Sequence, residues 1–180
     1  VRGNSLSLSG FIDQDLYYLK QWNILPTNEY TKWGKFYQVI NYANMVIKYG
    51  PTVVEKDPSF NEAVMRSYLS EAYYLRALSY FYLARNFRDV PLILDPYMTD
   101  QQEFELPKSS QGELFIQIIA DLETALESSK EVFPEVWETK GRATKWAINA
   151  TLANVYLWTG EYDKSIAACD KVINSGSVGL

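Results

Sequence analysis

The sequence predicts an all-α fold, a helical-repeat scaffold with a long loop between its second and third main helices. Three observations lead there. First, the stretch from Glu71 to Leu94, EAYYLRALSYFYLARNFRDVPLIL, is apolar or aromatic almost all round between Ala72 and Ala84. A helix without a polar face has to lie between neighbours. Second, apolar residues recur at spacings of three and four: Phe36, Ile40, Ala43 and Ile47, then Phe115, Ile118, Leu122 and Leu126. Each set shares one helix face. Third, residues 143–175 read as two helices hinged at Gly160, a residue suited to a left-handed helix end.

The elements follow in order. SLSLSG at 5–10 alternates and suits a short extended segment, and a short helix is expected between Phe11 and Trp22. Pro26-Thr27-Asn28 reads as a turn before the first main helix, Glu29 to Tyr49, whose apolar face Trp33 and Tyr37 extend; Gly50-Pro51 is expected to stop it. Asp57 as cap and Pro58 at the first position predict the next helix start, with the helix running to about Phe87. Pro91 then forces residues 88–108 out of the helix as a loop. Ser110 and Glu113 form a capping box before the third helix, which ends near Ser128-Ser129. Residues 130–141, with Pro134 and Trp137, read as loop. In the last hairpin Ala143, Ala147 and Ala150 make a small-residue stripe beside Ile148, Leu152 and Val155. Tyr162, Ile166, Cys169 and Ile173 are expected to be the buried face of its second helix.

The totals exclude several functions. With 47% apolar and 22% charged residues, the 180-residue chain has the composition of one globular domain. Its net charge of −5 is spread among interspersed acids and bases, so no basic patch awaits a nucleic acid. There is no histidine, which removes the commonest general base and metal ligand. One cysteine rules out an internal disulfide, and no run reaches the ~18 apolar residues of a membrane span. Val1 is not a start methionine and no leader follows it, so a trimmed chain with its address upstream is expected.

Arg76 sits among apolar neighbours, and a buried guanidinium needs a partner; Asp121, Glu71 or Asp89 are the candidates. Cys169 reads as a small hydrophobe without a base beside it. The acid pairs Glu103/Glu105 and Glu135/Glu138 lack the aromatic setting of a glycosidase and read as surface charge. Gly141-Arg142 lacks the glycines and lysine of a phosphate loop. The loop 88–108 is long enough to suggest a function. It carries Tyr97, Gln101, Gln102 and Phe104, and rings with amides suit sugar faces and hydroxyls. Trp137 is the other ring expected on a loop. Tyr97, Gln101, Gln102 and Trp137 are therefore the candidate ligand-binding residues, against the alternative of ordinary surface side chains.

Leu152, Ala153, Tyr156, Gly160, Tyr162 and Ser165 match the order and spacing of a tetratricopeptide repeat, although Asn149 replaces the usual tryptophan and Ser177 the usual proline. The two earlier long helices could form a decorated unit of the same kind, and the helix at 111–128 a third. Residues 71–94, FIQIIADLETAL at 115–126, residues 141–176 and YQVINYANMVI at 37–47 together resemble the SusD/RagB-like family of outer-membrane nutrient-binding lipoproteins. Arg88, where glycine is frequent, and Lys108, where arginine is frequent, depart from it. The resemblance implies a non-catalytic, surface-exposed component that caps a SusC-like TonB-dependent transporter. It implies an oligo- or polysaccharide ligand, no cofactor, no nucleic acid, and membrane attachment only through a lipidated cysteine upstream of Val1. It also implies that residues 1–180 are a single domain, the N-terminal part of a longer protein. The alternative is a helical-repeat adaptor that binds protein and no small ligand.

Overall fold

The structure, a computed structural model, describes residues 13–99, 101–103 and 105–177. The alternating segment at 5–10 and Phe104 lie outside the described residues. The chain divides into two compact units, residues 1–35 and 36–180.

In the first unit, α1 (Gln14–Lys20) starts at Asp13, whose carboxylate accepts from the Asp15 amide. Asn28 caps a short 3-10 helix, Glu29–Thr31, by accepting from the Tyr30 amide. Its Nδ2 also donates to the Asp15 carbonyl at 2.9 Å, and the Glu29 amide donates to Asp15 Oδ2 at 2.9 Å. One buried asparagine thus fastens the two short helices together. The turn was expected; the 3-10 helix was not, and it separates Asn28 from the first long helix.

The second unit holds all but the first two residues of α2 (Gly34–Val54), and α3 (Glu62–Phe87), α4 (Gln111–Glu127), α5 (Val136–Gly141), α6 (Lys145–Thr159) and α7 (Tyr162–Ile173). The described elements are all helical, as predicted. α3 lies along α4, α4 on α6, and α6 on α7. Leu114, Ile118, Leu122, Ala77, Leu83, Ala84, Ile148 and Val155 are fully buried and form the core. Ser70 and Ser165 donate across helix contacts to the Ala125 and Ala153 carbonyls at 2.6 and 2.8 Å. Such short bonds need small residues that let the backbones approach.

Arg76 is buried in the middle of α3. Its Nε and Nη2 donate to the two carboxylate oxygens of Asp121 on α4, both at 2.7 Å, and its Nη1 donates to Asn44 Oδ1 on α2 at 2.8 Å. Asp121 is the expected partner. Glu71 pairs instead with Arg142, which also holds Glu138 and stacks over Phe133 at 4.0 Å. Glu138 is therefore half-buried and paired, not solvated surface charge.

Three boundaries differ from the expectation. Gly50-Pro51 does not stop α2, which continues to Val54. Gly50 is there for space: a methyl group on it would run into the Met65 Sδ and Cε atoms. Pro51 costs one ladder bond near the helix end, where Thr52 Oγ1 donates to the Tyr49 carbonyl. α3 starts not at Asp57-Pro58 but after Asn61, which accepts from the Val64 amide at 3.0 Å. Asp57 instead closes a tight turn by accepting from Ser59. Residues 136–141 form α5 within the expected loop, and Glu135-x-x-Glu138 supplies its capping box.

Two expected faces also differ. Ala150 is exposed, and Ala153 is the small residue at the α6–α7 contact. On α7, Tyr162, Ile166 and Ile173 are about 60% exposed and Cys169 is exposed. Ser165 and Ala168 take the contact because they allow α7 closest to α6. Nor is α3 covered on every side: Leu75 and Tyr82 remain exposed. α2 meets α3 through long side chains, with Phe36 stacked on Tyr82 at 5.9 Å and Tyr37 edge-on to Tyr80 at 6.4 Å. The space left between them is an open apolar cavity of about 850 Å³ lined by Val39, Tyr42, Val46, Tyr68 and Leu75.

Two stability outcomes follow. Asp121→Ala leaves a buried guanidinium without its carboxylate and should cost about 3–5 kcal/mol in urea unfolding. Gly160 ends α6 at φ 81°, and the Glu161 amide closes the turn on the Tyr156 carbonyl at 2.8 Å. Gly160→Ala forces a β-carbon into that left-handed conformation and should cost about 1 kcal/mol in the same assay.

Candidate ligand-binding site

Residues 88–110 leave α3 and return to α4. The ends are held by an antiparallel bridge, Val90 to Ser109, whose amide donates to the Val90 carbonyl at 3.0 Å. Among its described residues the segment between them has no strand partner. Its backbone polar groups must therefore bond to side chains or water.

α2 supplies them from one face. Tyr37, Asn41, Asn44 and Lys48 recur at spacings of four, three and four. Tyr37 Oη donates to the Pro91 carbonyl at 2.7 Å. Asn41 accepts from the Tyr97 amide at 2.7 Å and donates to the Tyr97 carbonyl at 3.2 Å. Asn44 Nδ2 donates to the Ile93 carbonyl at 3.0 Å and the Asp95 carbonyl at 3.4 Å. Lys48 Nζ reaches Asp95 Oδ1 at 2.8 Å, a hydrogen bond that raises the lysine's pKa. From α3, Tyr80 Oη accepts from the Ile93 amide at 2.6 Å and donates to the Ile93 carbonyl at 2.9 Å. Burial pushes both the Tyr37 and Tyr80 hydroxyls above the ordinary tyrosine pKa. The result is a ledge, residues 91–97, laid along α2.

Beyond the ledge the chain folds on itself. Gln102 Oε1 accepts from the Met98 and Thr99 amides at 2.6 and 3.2 Å, and its Nε2 donates to the Pro96 carbonyl at 3.2 Å. Tyr97 Oη donates to the Glu103 carbonyl at 2.6 Å. These bonds border an open hollow of about 390 Å³, lined by Leu92, Leu94, Asp95, Tyr97, Gln102 and Glu103 among others. Tyr97 and Gln102 thus share one hollow, and Gln102 shapes the loop with the same amide that was expected to reach a ligand. Gln101 is exposed beside them but is not among the hollow's described lining residues. Trp137 stands on α5, 71% exposed, and does not line the hollow either. Sequence reasoning missed Tyr37, Asn41, Asn44 and Lys48 as the residues that hold the loop. The signal was present as a polar stripe inside an otherwise apolar helix.

No cluster of three or more metal-ligating side chains occurs among the described residues, and no described helix is long and apolar enough to cross a membrane. Residues 4–157 match the SusD-like family model described as "Starch-binding associating with outer membrane". The chain belongs to the SusD-like family. It is 31% identical over 144 residues to SusD-like protein P2 of Formosa agariphila, covering 79% of this chain and 26% of that protein. It is 35% identical over 125 residues to a SusD-like protein of Bacteroides ovatus, covering 69% of this chain and 21% of that one. A solved laminarin-binding SusD-like protein superposes with a TM-score of 0.75 at 29% identity, over 86% of this chain and 32% of its own. A SusD superfamily protein from Bacteroides thetaiotaomicron gives a TM-score of 0.84 over 94% of this chain and 40% of its own, and at 23% identity it shows the fold alone. The chain thus spans about a quarter of the length of these curated relatives.

The two hydrogen bonds between Asn41 and Tyr97 should be what keeps the ring's backbone in place. Asn41→Ala is expected to speed chymotryptic cleavage after Tyr97 by about tenfold, the effect of losing one or two neutral hydrogen bonds locally. Far-ultraviolet circular dichroism should not change.

Proposed function

We propose that this chain belongs to a cell-surface glycan-binding component of a TonB-dependent outer-membrane uptake system, and that it binds without catalysis. The observation that carries this is the family match across residues 4–157, whose description joins starch binding to the outer membrane. The laminarin-binding relative adds a second glycan within the same fold. The held ledge supports a place for contact: it presents Tyr97 beside an open hollow lined by the exposed carboxylate acceptors Asp95 and Glu103. Sugar hydroxyls can donate to such acceptors, and a tyrosine ring offers a face for the sugar's C–H groups. Preorganisation lowers the ordering cost of binding. Tyr97 is the proposed contact there and the exposed Gln101 a proposed contact outside its described lining, while Gln102 shapes the hollow and Trp137 is a separate exposed platform. The exposed apolar faces of α2, α3 and α7 fit protein contact, with a SusC-like transporter as the proposed partner and a lipid anchor outside these residues as the proposed attachment.

The test is affinity electrophoresis of the full-length protein in gels containing laminarin or starch. Retardation by at least one glycan is expected, and Tyr97→Ala should weaken it by about tenfold, the size of an anchoring aromatic contact. No retardation by any glycan in a broad panel, with a protein partner still captured, would favour the adaptor reading instead.

A further inference from the structure

We propose that Arg76 is a positioning residue for the ledge at residues 91–97, acting through the side chain of Asn44. This rests on the reading of the ledge and its hollow as the ligand-contacting part of the chain. Neither Arg76 nor its carboxylate partner bonds to the ledge.

Asn44 is fully buried, with both ends of its amide engaged. An asparagine amide has nearly the same shape either way round, so its orientation is decided by what faces it. Arg76 Nη1 can only donate, and it faces Asn44 at 2.8 Å. It therefore selects the oxygen and turns the NH₂ group toward the Ile93 and Asp95 carbonyls. The reversed amide would set N–H against N–H at one end and oxygen against two carbonyls at the other. Arg76 is itself held by both oxygens of Asp121, and Gln117 Nε2 donates to Asp121 Oδ1 at 2.8 Å. The order of contact is thus α4 carboxylate, α3 guanidinium, α2 amide, ledge carbonyls. A planar guanidinium can serve carboxylate and amide together because its donors diverge in one plane. A lysine ammonium has no such fork.

Two variants of the full-length protein test this by hydrogen exchange at the Ile93 and Tyr97 amides. Asn44→Asp keeps an acceptor for Arg76 but offers the two ledge carbonyls only oxygen. Arg76→Lys keeps a positive charge for Asp121 but cannot span both partners. Each is expected to speed exchange at Ile93 and Tyr97 by about five- to thirtyfold, as the loss of one or two hydrogen bonds implies. Exchange in α4 and α6 should move by much less. The double variant should exchange no faster than the faster single one, because both act on one contact. The inference is overturned if Arg76→Lys leaves both ledge amides unchanged, if it speeds exchange equally in every helix, or if the two single effects multiply. This readout uses no ligand. A ledge that loosens as expected in a protein that binds no glycan removes the proposed function and leaves this inference standing. An unaffected ledge in a laminarin-binding protein does the reverse.

Discussion

A guanidinium in the middle of a helical core is the constraint on which the rest depends. Taking that charge out of water is costly, and the bidentate bond to Asp121 offsets it only with good geometry. Good geometry fixes the register of α3 on α4. The remaining donor then reaches Asn44 and fixes the rotation of α2. With α2 turned this way, its Tyr37, Asn41, Asn44 and Lys48 all face the segment that follows α3. A single buried charge therefore sets three helices and, through them, the route of a loop.

That loop shows how irregular backbone is kept ordered without a sheet. Between Pro91 and Tyr97, side chains of α2 and α3 take the place of a neighbouring strand. The two tyrosines suit this role because a phenol hydroxyl can donate to a backbone carbonyl and accept from an amide, as Tyr80 does at Ile93. The two asparagines suit it because one amide both donates and accepts. Backbone held in this way fastens Tyr97, a loop residue, to the side chain of Asn41 on α2.

The apolar surface is arranged differently. In stacked helix pairs each unit covers a face of its neighbour. Here α4 and α6 are covered on both sides, whereas the α2–α3 cavity and the outer face of α7 are open. Tyr42, Leu75, Tyr162 and Ile166 are exposed there. These exposed apolar residues are distinct from those that line the hollow beside Tyr97.

Much of this was legible from residues alone. Periodicity located the long helices, Ser110 and Glu113 marked the start of α4, and Gly160 marked the left-handed turn. Arg76 announced a buried ion pair because a charge among apolar residues must find a partner. These are local statements, fixed by backbone sterics, capping and the cost of an unpaired charge. Tertiary structure decided what local rules leave open. Gly50 was read as a helix end, but Met65, distant in sequence, uses its missing side chain. The apolar residues of α7 were read as core, but Ser165 and Ala168 pack closer to α6. Gln102 was read as a ligand contact, and the fold gives its amide a further role, bonding its own loop at Pro96, Met98 and Thr99. Asn41 and Asn44 showed in the sequence only as part of a polar stripe; their partners, about fifty positions away, are decided by the fold. Sequence determines which groups need partners; only the folded chain determines which partner arrives, because that depends on distances between segments that no local pattern encodes.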